Sequence, residues 1–273
     1  MINVGCFVKS VKRLNNMINV IISRYKRYSG DTLDGNDIYK LLILAASLHD
    51  IGKIGANYQN PNNLRYEDSE CKASFKYHEI ISGTIIAEAL TLPGEDIGIN
   101  DIVKTMITLS VLNHHYALRD LKEMISTDIT KLVEEIIRTS GVLTQSSILE
   151  LERLQKDLSN ILEINNQVSQ KLITRIKEVI RIGSDQKSFK SMITRLLWTL
   201  RKHRAGYRFV VESINNYPMT NYFVSIMTGI INVSDNIVAF CERGGSRGEF
   251  AESLLKELNL SCKEIMSFDC WRS

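Results

Sequence analysis

Proline occurs only at Pro61, Pro93 and Pro218 in a chain of 273 residues. Proline removes a backbone donor and kinks or ends a helix, so its scarcity leaves long stretches free to run helical. Glycine is sparse as well, at 15. The chain is therefore expected to be all-α. Apolar residues at 44% and charged residues at 24% fit a globular chain and exclude a disordered tail or a fibrous repeat. No linker separates two halves, and the expectation is a single compact helical domain over residues 1–273.

Periodicity places the elements. Helices are expected over Val8–Tyr28, Ile38–His49, Tyr77–Leu90, Asp101–Tyr116, Asp128–Arg138, Ser147–Ile182, Phe189–Val211, Tyr222–Cys241 and Glu249–Leu258. Asn57–Ser74 reads as a long polar loop, and Gly244-Gly245 as a helix stop. Ser213–Ser234 carries no formal charge over 22 residues, but only 11 are apolar and Asn215, Asn216, Pro218, Asn221 and Asn232 interrupt it. A membrane span needs about 20 predominantly apolar residues, so this stretch is expected in the core. Met1–Arg13 lacks the apolar run of a secretory signal. Cys6, Cys71, Cys241, Cys262 and Cys270 show no CxxC spacing, and their odd number reads as reduced thiols in a cytoplasmic protein.

Net charge is only +3, but its distribution is uneven. From Arg181 to Arg208 eight basic residues face Asp185 alone, with Phe189, Trp198 and Tyr207 among them. Clustered cations attract phosphates and interleaved aromatics stack bases, so Lys190, Arg195, Arg201, Lys202 and Arg204 are candidate nucleic-acid contacts. The competing reading is a solvated helix face. Arg243 and Arg247 around Gly244-Gly245 could touch phosphates or merely flank a turn.

Four of the five histidines fall in three short segments: His49-Asp50 in LHDIGK, His78 in KYHEII and His114-His115 in LNHHYA. Each lies on or at the end of an expected helix, on its apolar side. Asp235, in GIINVSDNIVAF, also sits on an apolar face. A buried carboxylate is costly unless it is paired or bound to a cation, and imidazoles with carboxylates form the ligand set of divalent transition metals. Singly, each histidine reads as a hydrogen-bonded core residue, Asp235 as an arginine partner and Lys53 as a surface lysine. Their joint occurrence favours a site.

The series HDIGK, an isolated histidine about thirty residues on, an HH pair and a late SD in an apolar helix resembles the HD phosphohydrolase superfamily. Its order and spacing are most similar to the stand-alone HD nuclease of type I CRISPR interference systems, over about Leu41–Glu242. The resemblance implies Asp50 bridging two divalent cations (Mn, Ni, Co, Fe or Mg). His49 and Asp235 would complete one site, and His78, His114 and His115 the other. Lys53 would lie beside the scissile phosphate, with Asp50 and Lys53 carrying the chemistry. Paired cations can neutralise the attacking and leaving oxygens of a phosphodiester. One departure is visible: Met17 stands near the place of the family's first-helix histidine, with Asn15 and Asn16 beside it. The first site would then be completed by water or Asn16, or filled only with substrate.

The implied function is cleavage of single-stranded DNA, with RNA as a further candidate, in CRISPR interference. No GxxxxGK[ST] loop is present, so the resemblance implies a separate helicase subunit and an RNA-guided surveillance complex as partners. Two other readings stay open: a phosphohydrolase of small nucleotides, and an adaptor with impaired catalysis. His203 lies outside the cluster and is expected to be dispensable.

Overall fold

The computed structural model describes the chain apart from residues 1, 30–33, 61–64, 68–69, 73–74, 95, 116–127, 145, 161, 165, 203–206, 246–247 and 269–273. Thirteen α-helices occur among the described residues: α1 (Ile2–Ser10), α2 (Lys12–Ser29), α3 (Gly35–Leu48), α4 (His78–Thr91), α5 (Asp101–Leu112), α6 (Ile129–Ser140), α7 (Ser147–Asn160), α8 (Gln167–Gly183), α9 (Gln186–Lys202), α10 (Arg208–Asn216), α11 (Met219–Glu242), α12 (Glu249–Leu258) and α13 (Cys262–Ile265). The all-α expectation holds. A 3-10 turn, Ile51–Ile54, follows α3.

Three helices form the centre. In α4 every residue from His78 to Leu90 is buried, and α5 is buried from Met106 to Leu112. Helices apolar or buried all round belong inside a fold. They pack on each other, and α11 packs along α5 and α1. α11 is the one described helix long and apolar enough to cross a membrane, with 44% of its most apolar window buried. Here it is a core helix, burying Phe223, Met227, Ile230, Ile231, Ile237 and Val238. Peripheral helices are amphipathic instead: α2 buries Leu14, Ile18, Ile21, Ile22 and Tyr25 and exposes the rest of its charged face.

Several expected boundaries move, each for a local reason. The first helix begins at Ile2 and is interrupted at Val11, whose N–H still reaches Phe7 O at 2.9 Å while Asn15 Nδ2 donates to Lys9 O. A side chain inserted at such a break kinks a helix. The expected helix Ser147–Ile182 is two helices, α7 and α8, because Asn166 caps α8 by accepting from Ser169 N and Glu163 adopts a left-handed φ of 56°. Phe189–Val211 also divides: Tyr207 N donates to Thr199 Oγ1 at 2.9 Å and starts α10. Within the expected polar loop, Arg65–Glu67 pairs antiparallel with Glu70–Lys72. The stop after α11 is as expected: Gly244 and Gly245 take φ of 71° and 74°, and Gly245 N reaches back to Phe240 O.

The expectation of reduced thiols is corrected: Cys6, Cys241 and Cys262 are disulfide-bonded. Cys241 and Cys262 form a disulfide, with Cα atoms 5.1 Å apart. The intervening α12 turns the chain back on α11, a meeting that a separation of 21 residues without CxxC spacing conceals.

Candidate metal centre

Four elements converge at one end of the central helices. α3 ends at His49, and Asp50 opens the 3-10 turn that lies on α4. His78 is the first residue of α4, His114 and His115 follow α5 in a turn, and Asp235 sits on α11. Gly52 allows the turn to press against α4: its N–H donates to Ser82 Oγ at 2.8 Å. Tyr77, before His78, is left-handed (φ 73°), and its hydroxyl donates to Glu135 at 2.7 Å.

Three of the imidazoles are held in the same way. His49 Nδ1 faces Ala46 O at 2.8 Å, His78 Nδ1 faces Phe75 O at 2.6 Å, and His114 Nδ1 faces Val111 O at 2.5 Å. In each case the acceptor is the carbonyl three residues earlier. A carbonyl only accepts, so Nδ1 carries the proton, the ring is fixed, and Nε2 is the atom presented to the centre.

Asp50 receives these Nε2 atoms. Its Oδ1 is 2.9 Å from His78 Nε2 and 3.7 Å from His114 Nε2, and its Oδ2 is 3.4 Å from His49 Nε2. His49 Nε2 is also 3.3 Å from Asp235 Oδ1. The rings of His114 and His115 are 4.1 Å apart, and those of His78 and His115 4.9 Å. Lys53 Nζ donates to Asp50 Oδ2 at 2.5 Å and lies 5.1 Å from the Phe75 ring centroid.

Two donor sets result, sharing Asp50. Ligand atoms of Asp50, His78, His114 and His115 lie within 4.8 Å of one another, as do those of His49, Asp50 and Asp235. Buried Asp50 Oδ1, His78 Nε2 and His114 Nε2 have no hydrogen-bond partner. His78 Nε2 is close to Asp50 Oδ1, yet a ring already donating through Nδ1 has no second proton to give. Buried polar atoms left unmatched are costly. Three orphans aimed at one point, with a nitrogen- and oxygen-rich shell, fit a divalent cation.

The electrostatics agree. Burial lowers the His49 pKa, but Asp50 and Asp235 outweigh it and raise it to about 9. Metal-free, His49 is thus an imidazolium whose charge stands where a cation would. Burial raises the Asp50 carboxyl, yet His49, His114 and His78 hold it well below the usual range. Asp235 is also lowered, burial notwithstanding, by His49. Burial lowers His114, and burial with the adjacent His114 and His78 rings lowers His115 to about 3. Neutral imidazoles are the ligating form.

All seven expected ligands and catalytic residues (His49, Asp50, Lys53, His78, His114, His115, Asp235) are brought together. Met17 is 40% exposed on α2, and Asn16 lines a groove with Ser10, Val11, Leu258, Leu260 and Phe268 rather than joining that cluster. The basic run lies elsewhere. Lys190 pairs with Glu134 at 3.3 Å, Arg195 with buried Glu88 at 3.0 Å, and Arg201 lies 5.8 Å from the Trp198 ring. Glu88 is ten residues beyond His78, about 15 Å along α4. The side chain of Lys202, with His203, Arg204 and Arg247, falls outside the described residues. Sequence reasoning missed Phe75, Ser82, Tyr77 and Asn232, whose Nδ2 donates to His114 O at 2.7 Å. The carbonyls three residues before His49, His78 and His114 left no residue signal to find.

The HD domain family matches residues 27–138, a stretch holding every cluster residue but Asp235. The CRISPR-associated endonuclease Cas3-HD of Saccharolobus solfataricus is 27% identical over 147 residues, which cover 54% of this chain. The matched stretch spans 59% of that relative's length. No solved structure matches the chain. The family match and the distant relative, with the donor cluster, support an HD-type metal-dependent hydrolase.

Proposed function

We propose that this HD-domain chain is a metal-dependent phosphodiesterase that cuts single-stranded DNA during CRISPR interference. The observation that carries the reading is the pair of donor sets sharing Asp50. His49, Asp50 and Asp235 would hold one divalent cation, and Asp50, His78, His114 and His115 a second. When bound, a cation pair lowers the pKa of water and neutralises charge on a phosphodiester in displacement.

The chain's own residues do the rest. The Ala46, Phe75 and Val111 carbonyls fix the three rings, so ligands meet the centre without reorganisation. Lys53, one-third exposed beside Asp50, is placed to hold a phosphate oxygen. His114 and Asp50 are shielded from bulk water, while Asp235 and Lys53 are partly exposed and leave the cluster open to solvent. Lys190 and Arg201 are further candidates for phosphate contact. A helicase subunit and an RNA-guided surveillance complex would supply the exposed strand.

The test is cleavage of labelled single-stranded DNA by metal-stripped protein given manganese or nickel. Asp50→Ala is expected to lose at least about a hundredfold in rate, a typical loss when a charge-stabilising group is removed. Hydrolysis of mononucleotides without cutting of oligonucleotides would move the reading to a small-nucleotide enzyme. Bound metal with no hydrolysis of either would favour the adaptor.

A further inference from the structure

Two stretches of this chain share an unusual trait. Lys12–Ser29 holds five basic residues and no Asp or Glu, and Ser213–Ser234 holds no formal charge at all. With 31 Asp and Glu in 273 residues, about four or five would fall there at the chain's average frequency. The fold brings the two stretches together. Beneath the surface, buried Tyr25 packs edge-on against buried Phe223 at 6.2 Å. Above, Arg24 donates to the Tyr222 hydroxyl at 2.7 Å and lies 5.6 Å from its ring centroid. Tyr28 meets Tyr217 at 6.4 Å.

This face exposes what a folded surface ordinarily hides. Met17, Val20, Tyr28, Tyr217 and Tyr222 are each 40–49% exposed, beside exposed Arg24 and Arg27. Polar, uncharged residues continue from it along α11: Ser225 and Gly229 are exposed, Asn232 and Asn236 partly so. Asp235 lies thirteen residues beyond Tyr222, about 20 Å along the helix. By contrast, Lys190 and Arg195 in the basic run are matched to Glu134 and Glu88.

Cations without neighbouring acids in their own segments suit a polyanion, and exposed tyrosines suit unstacked bases, which an acidic polypeptide lacks. We propose that the exposed side of α2 and the Asn215–Gly229 stretch form a binding platform for single-stranded nucleic acid. Tyr28, Tyr217 and Tyr222 stack on bases, while Arg24 and Arg27 contact phosphates. The strand continues along α11 toward Asp235. The platform rests on the phosphodiesterase reading above for its purpose, not for its binding.

The test is fluorescence anisotropy of the full chain, in EDTA to prevent cutting, with a labelled 20-mer oligothymidylate. The variant Tyr28→Leu/Tyr217→Leu/Tyr222→Leu is expected to raise Kd about tenfold, and an abasic 20-mer of equal charge to bind wild type about tenfold more weakly. Arg24→Gln/Arg27→Gln is expected to reduce the slope of log affinity against log salt by about 1.4, and it keeps the test open should the tyrosine variant misfold. Unchanged Kd in a tyrosine variant that keeps its circular dichroism spectrum, equal binding of the abasic strand, competition by polyglutamate at equal charge, or no saturable binding would each overturn the platform. Binding that responds as expected, without metal-dependent cutting, would refute the phosphodiesterase reading alone. Cutting with unchanged binding in the variants would refute the platform alone.

Discussion

A Cβ on Gly52 would lie 2.0 Å from His78 O and 2.7 Å from Ser82 N, so this residue decides how closely the Asp50 turn approaches α4. Gly52→Ala must push the turn away from His78. It is expected to cost more than about 3 kcal/mol in chemical denaturation and to abolish metal retention, whereas a loss within about 0.5 kcal/mol would show the approach is not tight. His49 gives a second expectation. In metal-free protein its pKa is raised to about 9 from 6.5, so its contribution is whole below about pH 6.5 and is lost as pH rises toward 9. His114 and His115 are depressed, so below about pH 6.5 the unfolded chain takes up protons that they refuse, and stability falls with acid. Asp50 and Asp235, also depressed, contribute above about pH 4 and lose that contribution as pH falls through their folded pKa values. Chelated protein should therefore be most stable near pH 6.5 and lose up to about 3 kcal/mol by pH 9. Denaturant melts of His49→Gln should lack that alkaline loss; an identical loss would contradict it. The cluster residues themselves were legible because titratable residues in apolar stretches are conspicuous. Their orienting carbonyls were not, since backbone partners leave no residue signature.

At the scale of the element, α4 carries two buried polar ends. His78 joins the candidate donor cluster at one end. At the other, Glu88 accepts from the Tyr207 hydroxyl at 2.6 Å and pairs with Arg195, so Arg195 ties α9 and α10 to α4. Breaking such a pair leaves a buried charge unmatched. Arg195→Ala is expected to destabilise by roughly 3 kcal/mol and Lys190→Ala, at an exposed pair, by less than about 1 kcal/mol, compared by urea unfolding. Equal effects would show that Glu88 is solvated. The sequence marks Arg195 only as one of eight basic residues, because its partner lies 107 positions away. Helix cores were legible from periodicity. The breaks at Val11 and Asn166 were missed because amphipathic patterning continues across them while single side chains divide the backbone.

In the whole molecule, residues 49, 78, 114 and 235 come from separate elements, and only the packing of α3, α4, α5 and α11 makes them one centre. That convergence was legible through resemblance, not through spacing, since no local rule links Asp235 to a histidine 186 positions earlier. The basic run was legible as composition but not as position, for Arg195 faces Glu88 at the far end of α4 and Lys190 faces Glu134 on α6. The same packing that gathers the donor cluster leaves the outer side of α2 and the start of α11 exposed together. The most direct measurement of the central claim is metal content after loading with manganese or nickel and gel filtration. The account predicts about two ions per wild-type chain, about one in Asp235→Ala and none retained in Asp50→Ala. Equal metal content in folded wild type and Asp50→Ala would contradict a centre bridged by Asp50.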